Sequence, residues 1–239
     1  MNATLPPQPP PDAPPPPPGT EAEKSRRKMK WILRIGGGCL LLSVLAGLAN
    51  PKIVRSSTKS DQVEASQNIR QVYVALLDFE SEFGTFPDGS TISAVQSRTS
   101  TPLSLGKGSS NEMFRQLIAY RTTTSESIFW AKTSDTRHKP DNVLGNGALK
   151  KGECSFTYIA GLSTSSDPTA PLMMAPVIRG TWQFDPKSFV GIAVVIHVDG
   201  SVKPYPIDQH GDVMIGGMSI FDPRQPYWRG KGPDIKWPE

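Results

Sequence analysis

The clearest pattern along the chain is a change in the spacing of its apolar positions. Trp31 to Ala49 is an almost unbroken apolar run of 19 residues whose only charge is Arg34. At 1.5 Å per residue a helix of that length reaches roughly 28 Å, close to the hydrocarbon thickness of a bilayer. After Asn50-Pro51 the pattern turns polar and then periodic. Ile69, Val72, Tyr73, Leu76, Phe79 and Phe83 trace one face of an amphipathic helix, while Arg70, Asp78, Ser81 and Glu82 lie elsewhere. Gly84 and Pro87 mark its end. A second, shorter helix opens at Ser109, which stands in capping-box spacing with Glu112, and runs through Met113, Phe114, Leu117 and Ile118 to Arg121. The stretch Asp88–Val95 adds a turn of helix.

Strands are expected later in the chain, at Ser155–Ile159, Leu172–Ile178 and Ile192–Val198. The last is apolar on both faces and reads as central. Asp199-Gly200 turns it into Ser201–Ile207, where Pro204 and Pro206 indicate an edge strand. Residues 97–110 and Asp135–Gly147 read as exposed loops. The proline- and glycine-rich segment Asp222–Glu239 suits neither helix nor strand. Tyr227, Trp228 and Trp237 are expected to pin it to the domain. The fold class is therefore α+β: a transmembrane helix, then an amphipathic helix packed on an antiparallel sheet, with long irregular loops.

Composition divides the chain further. Ten of the thirteen residues from Pro6 to Pro18 are proline, which favours an extended polyproline conformation and cannot build a core. The expected organisation is a disordered, basic, proline-rich tail at 1–30, a membrane helix at 31–49 and one domain at 50–239. The net charge of +4 is concentrated at the start, since residues 1–49 hold six Lys/Arg against three Asp/Glu. The remaining 190 residues are near neutral, with 20 basic against 19 acidic. No general basic surplus favours nucleic acid as a partner. Lys24, Arg26, Arg27, Lys28 and Lys30 precede the apolar run, against Lys52, Arg55 and Lys59 after it. That asymmetry places the N-terminus in the cytoplasm and the domain outside it. A cleaved signal peptide is the alternative, with Ala46, Gly47 and Ala49 as small residues for cleavage. Cys39 lies in the apolar run and Cys154 in the domain, so a disulfide between them is not expected.

Two stretches resemble a known family. Ala65-Ser66-Gln67-Asn68-Ile69-Arg70-Gln71-Val72-Tyr73-Val74-Ala75-Leu76, then Phe79 and Gly84-Thr85-Phe86-Pro87, resembles the N-terminal helix of bacterial type IV pilin-like proteins. The closest likeness within that group is to the major pseudopilin of type II secretion. Gly191-Ile192-Ala193-Val194-Val195-Ile196-His197-Val198-Asp199-Gly200-Ser201-Val202 resembles the hairpin of the same proteins, in which an apolar strand enters D-G-S-V. The resemblance covers about a quarter of the chain. It implies a pilin-like domain on a single-pass anchor in the bacterial cytoplasmic membrane. It also implies a structural or interaction role with an envelope or secretion-system protein, and calcium in a C-terminal loop. Prepilins carry a glycine followed by an aromatic residue and T-L-I-E; here Gly38 is followed by Cys39-Leu40-Leu41-Leu42-Ser43. The pattern for processing and filament registration is thus not matched.

Candidate chemistry is sparse. His138, His197 and His210 have no second histidine at ligand spacing. Gly161-Leu162-Ser163-Thr164-Ser165 lacks the second glycine of a nucleophile elbow, and Gly106-Lys107-Gly108-Ser109 lacks the spacing of a phosphate loop. Asp167, Asp185, Asp199, Asp208, Asp212 and Asp222 are scattered, without the spacing of a calcium loop. Phe184-Asp185-Pro186 and Phe221-Asp222-Pro223 repeat as turn initiators. No catalytic, cofactor or metal residue is assigned. The expected function is a non-enzymatic, membrane-anchored pilin-like protein. The alternatives are a true secretion pseudopilin and an anchored hydrolase or ligand-binding domain.

Overall fold

The described chain enters already in helix. Helix α1 occupies residues 59–83 of a computed structural model that describes residues 59–134, 136 and 138–239. The expected tail and membrane helix (1–30 and 31–49) lie outside the described residues. Among those residues, no helix is long and apolar enough to cross a membrane.

The periodicity of α1 becomes its packing. Ala65, Ile69, Val72, Ala75, Leu76 and Phe79 are all buried in one hydrophobic core shared with the sheet. Gly84 ends the helix with φ +76° and donates its amide to the Glu80 carbonyl, 2.7 Å away. This left-handed stop suits a residue without a Cβ. Helix α2 (Ile92–Thr99) follows, then α3 (Ser110–Ala119). The two are joined by a buried bond from Thr91 Oγ1 to Gln116 Oε1 of 2.6 Å. Residues 100–109 form the irregular, largely exposed loop that their composition suggests, whereas 97–99 are helical and Leu103, Ser109 and Ser110 are buried. Helix α3 stops at Ala119, two residues short of the expected Arg121, which takes φ +62°.

The described strands are β1 (Thr157–Ala160), β2 (Pro171–Ala175), β3 (Ile192–His197), β4 (Val202–Pro206), β5 (Met214–Ile215), β6 (Met218–Ser219) and β7 (Asp234–Lys236). Five of them make an antiparallel sheet in the order β4-β3-β2-β1-β7, and β5 pairs with β6 in a separate ribbon. The fold is α+β. Strand β3 has partners on both sides, consistent with its unbroken apolar run. Strand β4 is an edge, and its register pairs Pro204 with Val194 and Pro206 with Ile192. The Ile207 amide bonds inward to the Gly191 carbonyl. By strand alternation, the backbone nitrogens of positions 204 and 206 face outward, where proline's missing N–H costs no ladder bond.

The C-terminal segment departs from expectation. Asp234–Lys236 forms a strand on β1, with Tyr158 opposite Lys236 and Ile159 opposite Ile235. An edge strand needs only alternate amides, and three residues between Pro233 and Pro238 suffice. The aromatic pins do form. Tyr227 Oη and Trp228 Nε1 both donate to the Ile220 carbonyl, and Trp237 Nε1 donates to the Thr181 carbonyl.

Candidate functional site

The stretches 65–87 and 191–202 meet in space. Tyr73, on the apolar face of α1, donates its hydroxyl to the Val198 carbonyl at 2.7 Å. Val198 lies in the loop between β3 and β4. There the Gly200 amide bonds to the His197 carbonyl and Gly200 itself takes φ +79°. A Cβ at Gly200 would lie 2.7 Å from Tyr73 Cε1, so the helix and the hairpin fit only because this position is bare. The segment Gly84–Pro87 is also tied in. Phe86 N and Thr85 Oγ1 donate to the Leu162 carbonyl, and the buried Tyr158 hydroxyl donates to the Pro87 carbonyl at 2.9 Å. Burial raises Tyr73 above the ordinary tyrosine value, with Asp199 and Glu80 adding to the effect. It remains a protonated donor at physiological pH.

The three histidines are not brought together into one site. His197 is buried in β3, with Nδ1 2.7 Å from the Thr169 carbonyl and Nε2 3.0 Å from Tyr205 Oη. These partners assign the neutral tautomer with the proton on Nδ1. Burial pushes His197 below its ordinary value, against the upward pull of the Thr169 carbonyl. The folded state therefore binds fewer protons than the unfolded state as pH falls below about 6.5. The stability this neutral ring contributes is complete above that pH and is lost on acidification toward the folded value. The urea midpoint is expected to fall between pH 7 and pH 5, with a shallower fall in His197→Phe. Equal slopes for the two proteins would refute the assignment.

His138 lines a cleft of about 570 Å³ together with Ser134, Lys151, Val177, Arg179 and Asp185. His210 sits in an exposed turn and contacts Gln209. Cys154 also borders the cleft, but burial pushes its thiol up to about 11, so it is not a nucleophile at neutral pH. Asp185 is held below the usual carboxylate range. Burial pushes it up, but hydrogen bonds from Ser134, Lys187 and Ser188 outweigh that.

The loop aspartates act locally. Asp167, Asp185, Asp199, Asp208 and Asp222 each accept the backbone amide two residues ahead. These are turn-forming bonds. The repeated Phe-Asp-Pro tripeptides also pack together, with the Phe184 and Phe221 rings stacked at 5.7 Å. Nothing in their local sequence signals that pairing. The Gly106–Ser109 loop wraps a carboxylate of its own chain: Gly108 N donates to Glu112 Oε2 at 2.6 Å, and Gly106 lies against the same carboxylate. Ser109 Oγ accepts the Glu112 amide as the capping box requires, but the glutamate reaches back to Gly108. Thr164, in the serine-rich Gly161–Ser165 stretch, donates through its amide and hydroxyl to Glu80, tying that loop to α1.

Among the described residues, the one group of three or more potential metal-ligating side chains gathered together is Glu126, Asp141 and Glu153. None of these stands out by motif spacing. Compared with protein-family models, curated proteins and solved structures, the chain matches none.

Proposed function

We propose that the chain is a membrane-anchored, non-enzymatic pilin-like envelope protein. Its domain sits outside the bacterial cytoplasmic membrane and presents a surface to a protein partner. The observation that carries this reading is the joint at Tyr73, Val198 and Gly200, where the pilin-like helix meets the pilin-like hairpin. The long amphipathic α1 packed on an antiparallel sheet supports it further. In this mechanism the apolar run 31–49 holds the chain in the bilayer. Helix α1 then carries the domain as a stem whose position is fixed by its buried face.

Intact-mass measurement on native protein from the membrane fraction tests the proposal. A full-length species retained with the membrane supports the anchor. Loss of residues 1–38 would indicate prepilin-type processing and a true pseudopilin. Loss of residues 1–46 or 1–49, with the protein released, would overturn the anchored reading.

A further inference from the structure

We propose that Glu126, Asp141 and Glu153 form a calcium site that clips the segment 126–153 to itself. One carboxylate oxygen from each residue lies within 4.8 Å of the other two. Oxygens that share one calcium at 2.3–2.6 Å must lie within roughly 5 Å of one another. Glu126 is fully buried, and its Oε2 has no hydrogen-bond partner although it belongs to the carboxylate that faces the other two. A buried, unpaired carboxylate oxygen beside two further carboxylates is costly unless a cation satisfies it.

The arrangement is held in place by bonds that leave ligand capacity over. Glu126 Oε1 accepts the Leu149 amide, and Glu153 Oε2 accepts the Lys150 amide at 2.7 Å. Asn142 Oδ1 accepts the Glu126 amide at 2.9 Å, which fixes the Asp141 turn against the start of the 3-10 turn Glu126–Phe129. Every carboxylate oxygen carries two lone pairs, so each can accept an amide and still ligate a metal. Lys150 Nζ meets Asp141 Oδ2 at 2.7 Å on the exposed side. Three carboxylates and one ammonium leave an excess of negative charge that one divalent cation balances. Calcium is favoured over magnesium because the donors are all oxygen and sit on irregular loop, whereas magnesium demands near-octahedral geometry and keeps its waters.

The site's role is structural. The described residues between 130 and 156 contain no helix or strand. Their attachment to α3 runs through Asn111, which donates to the Leu149 and Lys150 carbonyls, and through Arg115, which donates to the Ala148 and Leu149 carbonyls. Leu149 and Lys150 are also the residues whose amides Glu126 and Glu153 accept, so the carboxylates and α3 hold the same short stretch. The trio precedes the first strand and includes none of the C-terminal aspartates, so the inference stands apart from the family resemblance and from the membrane reading.

The test is calorimetric titration of CaCl2 into the full-length, chelator-treated chain, with thermal unfolding in parallel. One calcium per chain, a raised melting temperature and a weaker response to MgCl2 are expected. Asp141→Asn, at a partly exposed position that should still fold, is expected to weaken binding at least tenfold. Glu126→Gln is expected to be as stable as the natural chain in chelator and less stable in calcium. No binding up to roughly 10 mM, above the weakest class of calcium modules, would overturn the site. Equal responses to both metals, or undiminished binding in Asp141→Asn, would overturn it as well.

Discussion

Replacing Phe114 with alanine is expected to lower the melting temperature of the domain by roughly 10 °C, a larger effect than any surface substitution should give. Phe114 is completely buried on α3. Its ring stacks on Phe129 at 5.0 Å and meets Tyr158 of β1 at 5.3 Å. One side chain thus joins α3, the 3-10 turn Glu126–Phe129 and the sheet. Truncating a buried phenylalanine costs about 3–5 kcal/mol, from lost transfer free energy and the cavity left behind. For a domain of this size each kcal/mol moves the midpoint by about 2–4 °C. Thermal unfolding followed by circular dichroism reads the change directly, with Val74→Ala, at a 57% exposed position of α1, as the near-neutral control. A fall of less than about 3 °C for Phe114→Ala would mean that α3 contributes little to holding the sheet.

The same contact shows what is legible in the sequence. Spacing alone puts Phe114, Leu117 and Ile118 on the core face of α3, and all three are buried. Local signals also locate α1's end, the apolar β3 and the proline-bearing edge β4. They work because each rests on neighbours in the chain: periodicity, a capping pair, or a turn followed by an alternating strand. What they miss depends on partners far away. Strand β7 exists because β1 offers an unpaired edge to Asp234–Lys236, and no local pattern in three residues between prolines reveals that. The β5–β6 ribbon is different, since Ile215-Gly216-Gly217-Met218 carries a recognisable two-residue turn, with both glycines at positive φ. That signal is local, but strands of two residues are too short to show an alternating pattern beside it. Glu126, Asp141 and Glu153 escape notice because they come together through the path of a long irregular segment, not through motif spacing.

At the joint between stem and hairpin, Gly200→Ala is expected to cost about 2–5 kcal/mol, from two separable causes. The first is conformational: alanine at φ +79° carries a left-handed penalty of about 1–2 kcal/mol. The second is the 2.7 Å approach of the new Cβ to Tyr73 Cε1. That ring cannot withdraw freely, because its hydroxyl is bonded to Val198 at 2.7 Å and its edge lies against Phe86 at a centroid distance of 6.4 Å. Moving the ring gives up the hydrogen bond, and overpacking of this kind adds about 1–3 kcal/mol. The two causes separate in a double-mutant cycle with Tyr73→Ala, followed by urea unfolding. Once the ring is gone, Gly200→Ala should cost only the conformational part, leaving a favourable coupling of about 1 kcal/mol or more between the substitutions. Simple additivity would show that the hairpin turn and α1 do not press on each other. The joint would then contribute nothing to fixing the domain on its stem, and the proposed mechanical role of α1 would lose its main structural support. A clear coupling would instead mean that the bare position in the turn seats α1, which ties a local turn preference to the packing of the helix on the sheet.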